Sequence, residues 1–117
     1  MKQKEITING KNYPVIFTMA TLSNFEEIAK IAFFNADLGM VKNRIALICA
    51  AAIAADENTK LTVEDLRGNE TWEDYMQIAT AYTVVMELAG KFFHMPEIEK
   101  GNDEEQPAEE GDEKPKN

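Results

Sequence analysis

The sequence predicts an α+β fold that is mostly α: an N-terminal β-hairpin, a small bundle of three main helices and one short helix, and an acidic disordered tail. Three observations carry this expectation. Two alternating segments, Lys4 to Ile8 and Tyr13 to Thr18, flank the turn signal Asn9-Gly10-Lys11-Asn12. Apolar residues then recur at helical spacing in successive blocks as far as Phe93. Beyond Pro96 the apolar residues nearly vanish and carboxylates take over.

Lys4-Glu5-Ile6-Thr7-Ile8 and Tyr13-Pro14-Val15-Ile16-Phe17-Thr18 each alternate at the strand period. Asn9-Gly10 between them is the strongest short hairpin signal. Ile6 and Ile8 share one face with Tyr13, Val15 and Phe17 under either a two-residue or a four-residue loop, because those registers differ by two. Pro14 has no N–H and marks an edge. A lone hairpin is marginal in water, so it packs on the helices or pairs with another chain.

The first helix is expected from Leu22 to Phe34, with Ser23 and Glu26 as a capping box and Thr21 as a competing cap. Leu22, Phe25, Ile28, Ala29, Ala32 and Phe33 form its stripe, and Glu26 and Lys30 pair across one turn. Ile31 and Phe34 fall off the stripe, either covered by a neighbour or left for a partner. Asp37 is the expected cap of a second helix from Leu38 to Ala55. From Ile45 onward this helix is apolar all round, which marks it as the buried one. Thr62-Val63-Glu64-Asp65 reads as a capping box for a short helix ending at Gly68. The last helix is expected from Trp72 to His94, capped by Thr71 and stopped by Pro96. Glu73, Gln77, Thr80, Thr83, Glu87 and Lys91 form its polar sector. The apolar arc opposite is wider than one core contact needs.

At 117 residues the chain has the length of one domain, placed at 1–96, with 97–117 as the tail. The tail carries nine acids against three lysines, and only Ile98 and Ala108 are apolar, so burial cannot offset its ordering entropy. The net charge of the chain is -9, without any Lys/Arg cluster, which argues against nucleic acid and anionic lipid as partners. The longest apolar run, Ile45 to Ala55, is too short to span a bilayer. No signal-peptide pattern follows Lys2, Lys4 and Glu5, so a cytoplasmic location is expected.

Catalytic chemistry finds little to work with. The chain has one Ser, one His and one Cys. Ser23 reads as a helix cap, Cys49 as a small buried hydrophobe, and His94 as a helix-end residue. Zinc needs three or four Cys or His ligands. Asp56-x-Asn58 opens like a calcium loop, but Leu61 stands where the glycine is required. Neither Gly10-Lys11 nor Gly90-Lys91 has the upstream glycine of a P-loop. No enzyme, cofactor or metal is expected.

The run from Ile6 to Thr18, leading directly into a helix that opens with Leu22, resembles the N-terminus of the tail assembly chaperones of long-tailed phages and prophages. The likeness covers residues 4–95 in layout and 6–18 in wording. It implies a non-enzymatic protein that binds the tape-measure protein and helps tail-tube subunits assemble, in the cytoplasm of the host. The alternatives are a virion structural or head–tail connector subunit, and an acidic inhibitor of antitoxin type. Surplus apolar surface predicts self-association or a helical partner, with Phe34, Leu88, Phe92 and Phe93 as the candidate contacts.

Overall fold

The computed structural model describes residues 3–68 and 70–94, so the expected tail at 97–117 lies outside the described residues. Strands β1 (Lys4–Ile8) and β2 (Lys11–Val15) form an antiparallel hairpin with Ile6 opposite Tyr13 and Ile8 opposite Lys11. The loop is therefore the two-residue Asn9-Gly10. Both residues have positive φ, 54° and 82°, as a type I′ turn requires. Bonded and non-bonded pairs alternate away from such a turn. Glu5 and Pro14 then form a non-bonded pair, and the missing N–H of Pro14 interrupts no ladder bond.

Ile6, Ile8 and Val15 turn one face of the hairpin into the core, with β2 against α2 (Val41–Ala55) and β1 along α4 (Trp72–Phe92). The strand is tied to the helix at both ends. Lys4 Nζ donates to Glu87 Oε1 at 2.8 Å, and the Asn9 N–H donates to Gln77 Oε1 at 2.7 Å. Five strand steps cover about 16 Å, and the ten helical residues between the anchors rise about 15 Å. The two lengths match, so the polar sector of α4 is partly spent on the hairpin.

Helix α1 runs from Met19 to Ala29, earlier at both ends than its sequence pattern indicates. Its cap is Thr18 and not Ser23 or Thr21. Thr18 Oγ1 accepts from the Ala20 N–H at 3.2 Å, while Thr21 Oγ1 accepts from the Thr18 N–H at 3.0 Å. The Thr21 hydroxyl also donates to the Ile16 carbonyl at 2.9 Å, so this buried group is fully paired. Ser23 sits exposed inside the helix. Lys30 adopts a left-handed conformation, φ 62°, and the helix ends at Ala29, five residues short of Phe34. Glu26 does not meet Lys30; its carboxylate accepts the Phe33 N–H at 3.0 Å and starts a 3-10 turn over Phe33–Asn35.

Asp37 does not cap α2. Its carboxylate accepts the Gly39 N–H at 2.8 Å in a turn before the helix, which starts at Val41 behind Met40. That loop is held from α2 itself: Asn43 Nδ2 donates to the Asp37 carbonyl at 2.9 Å and Arg44 Nε to the Leu38 carbonyl at 2.6 Å. The Arg44 guanidinium lies 4.5 Å from the ring centre of Tyr82, bracing the loop against α4. From Ile45 to Ala52 every residue of α2 is buried. Helix α3 (Val63–Arg67) opens on the expected capping box, Thr62 with Asp65, and α4 on its expected cap Thr71, which forms a reciprocal box with Asp74.

Candidate functional site

The one cysteine of the chain is held in an unreactive setting. Cys49 is buried in α2, and desolvation, with the Asp65 charge adding to it, pushes its thiol up to about 12. A thiol so placed is protonated at neutral pH and is no nucleophile. His94 is exposed just past α4 with φ 54°. Among the described residues no group of three or more His, Cys, Asp or Glu side chains could hold a metal ion. Among them, too, no helix is long and apolar enough to cross a membrane. What the surface does offer is apolar.

One apolar cluster, part core and part surface, gathers all six phenylalanines of the chain where the hairpin exit meets the ends of α1 and α4. Phe17 sits at the centre, with ring centroids 5.4 Å from Phe92, 5.6 Å from Phe93 and 6.2 Å from Phe33. Phe25 closes the inner side against Phe33 at 5.4 Å. Edge-to-face rings at these separations are favourable beyond their buried area. The break at Lys30 sends Phe33 inward and Phe34 outward. Phe34 packs only one side of its ring on Phe33 and Phe93 and remains 76% exposed.

The four residues singled out from the sequence therefore land in three environments. Phe34 is at the surface. Phe92 and Phe93 are half-buried walls of the phenylalanine cluster. Leu88 is 3% exposed and sits in the core between hairpin and helices, so it takes no part in the exposed surface of the single chain.

A second apolar surface, unremarked in the sequence, lies at the opposite end of α4. Trp72 is 71% exposed and stacks on Tyr75 with centroids 5.0 Å apart; Met76, one turn on, is 46% exposed. The cap dictates where these side chains point. Asp74 accepts the N–H groups of Glu70 and Thr71, both at 3.1 Å, and these bonds with that of the Thr71 side chain hold its carboxyl below the usual range. Trp72, Tyr75 and Met76 form the start of a stripe at i, i+3 and i+4. That spacing was readable in the sequence, but a Trp in the first turn of a helix looks the same whether it packs inward or stands out.

Beside this stripe is a cleft of about 310 Å³ between α2, α3 and α4, with Ile45, Leu66 and Ile78 inside and Val41 and Tyr75 at its margin. A second cleft, of about 300 Å³, lies between α1, α2 and α3 and is lined by Ile28, Ala29, Ala46 and Val63. Lys42 and Arg67 line both. No protein-family model, no curated protein and no solved structure matches the chain.

Proposed function

We propose that this chain is a non-enzymatic binding protein that works as a tail assembly chaperone, holding a tape-measure protein while tail-tube subunits assemble around it. The observation that carries the reading is the exposed Trp72–Tyr75–Met76 stripe on α4, set beside an open apolar cleft. Exposed aromatic and methionine side chains in one patch are the composition of protein-binding surfaces. The hairpin running into a helical body agrees with the resemblance carried by residues 6–18. A long helical client would expose just the apolar stripes that such a patch covers.

The test is co-expression of the full chain with the tape-measure protein from the same phage or prophage. The two should co-purify, and Trp72→Ser with Met76→Ser should abolish this while the thermal transition stays put. Loss of binding together with loss of the fold would show the stripe to be structural. A wild-type chain that never retains the client refutes the chaperone reading. Mass spectrometry of purified particles separates the connector alternative, because a chaperone is absent from the finished virion.

A further inference from the structure

We infer that the two clefts form one docking groove for an acidic amphipathic segment of another protein, with Lys42 and Arg67 receiving a carboxylate between two apolar contacts. This rests on the protein-binding reading and adds the partner's chemistry to it. Two features of the groove lead there. Its walls are apolar on both sides: Ile45, Leu66 and Ile78 in one cleft, Ile28, Ala46 and Val63 in the other. Every charged side chain lining either cleft is a cation, and it is the same pair, Lys42 and Arg67. That is an unusual spot on a chain of net charge -9.

Among the described residues Lys42 makes no ion pair, and Arg67 meets only the exposed Glu64, at 3.3 Å, so both cations are available. An exposed pair of this kind is weak and exchanges readily for a better partner. Cations at the junction of two apolar clefts select a ligand with the pattern apolar–acidic–apolar. Purely apolar segments would leave the ammonium and guanidinium desolvated without a partner. The chain's own residues 97–117 are acidic enough but supply only Ile98 and Ala108 as apolar contacts, too few for both clefts. A partner segment is the better match.

The probe is a synthetic amphipathic helical peptide with leucines one and two turns apart on one face and glutamates between them, titrated into the full chain. Trp72, the single tryptophan, stacked on the cleft residue Tyr75, reports the binding. A peptide with lysines in place of the glutamates should bind about three- to tenfold more weakly, the scale of two exposed ion pairs. Lys42→Glu with Arg67→Glu should invert this order, and rising salt should erase it in the wild type. Should that double variant unfold, Lys42→Gln with Arg67→Gln should abolish the preference without reversing it.

Equal binding of both peptides, or a preference that survives charge reversal, overturns the inference. So does a spin label at Glu110 (through Glu110→Cys) that broadens the Lys42 and Arg67 amides without peptide, since the groove would then seat the chain's own tail. A dimer in light scattering that Lys42→Glu with Arg67→Glu dissociates would assign the groove to a second copy and overturn it as well. If the double variant still retains the tape-measure protein, the groove fails and the chaperone reading stands. If the wild type retains no client but discriminates the peptides, the chaperone reading fails and the groove stands.

Discussion

Replacing Thr21 with Val keeps the shape of a fully buried side chain and removes one oxygen. That oxygen accepts the Thr18 N–H at 3.0 Å and donates to the Ile16 carbonyl at 2.9 Å. Neither partner has another bond waiting, and a buried polar group left unpaired costs about 1–3 kcal/mol. Thr18 is half-buried and recovers some hydration, so the sum falls near 2–3 kcal/mol. At about 4–8 °C per kcal/mol for a domain of this size, the melting temperature should drop by roughly 10–20 °C. Thermal melts and urea titrations followed by circular dichroism would measure it. Thr80→Val is the matched control, because its exposed hydroxyl only bonds back to the Met76 carbonyl; it should move stability by less than about 0.5 kcal/mol. Thr21→Ser should recover most of the loss. A Thr21→Val protein as stable as the wild type would refute the view that this hydroxyl joins hairpin to helix.

Leu88→Ala should cost about 2–5 kcal/mol as a buried truncation, whereas Phe34→Ser should change stability by less than about 0.5 kcal/mol; chemical denaturation of both variants separates core from surface. Cys49 should resist a thiol reagent in the native protein and react at the rate at which α2 opens, so labelling that is complete within seconds without denaturant would contradict its burial. The Glu87 carboxyl is held below its ordinary value of 4.5 by the hydrogen bond and charge of Lys4. Its stabilising contribution is therefore present above pH 4.5 and is lost as the pH falls through the lowered value. Lys4→Met should make the acid side of the stability profile shallower, and an unchanged profile would count against the pair.

The hairpin, the buried helix and two of the helix caps were legible in the sequence because each rests on local chemistry. Asn9-Gly10 suits positive φ, α2 has no polar face from Ile45 on, and Thr62 and Thr71 each find an acid three residues later. The bounds of the first helix differ from its apolar pattern because side-chain bonds that helical periodicity does not show set both ends. Thr21 is committed to the Ile16 carbonyl and the Thr18 N–H, and the break at Lys30 is completed by Glu26 reaching the Phe33 N–H. Leu88 was read as surface because a helical projection shows the width of an apolar arc without showing what covers it. β1 packs along α4 through anchors at Gln77 and Glu87 that lie far along the chain from Asn9 and Lys4. The candidate surface was legible only at Phe34; Trp72 and Met76 needed the three-dimensional arrangement.

The ties between β1 and α4 also govern how the chain emerges from a ribosome. Lys4 and Glu87 are 83 residues apart, and Asn9 and Gln77 are 68 apart. At about 5–20 residues per second, roughly 3–17 s pass between synthesis of the hairpin and arrival of the helix it lies against. During that interval Ile6 and Ile8 have no α4 to lie against, and a two-stranded sheet alone holds only marginally. The nascent chain thus spends seconds with the apolar face of its hairpin uncovered by α4.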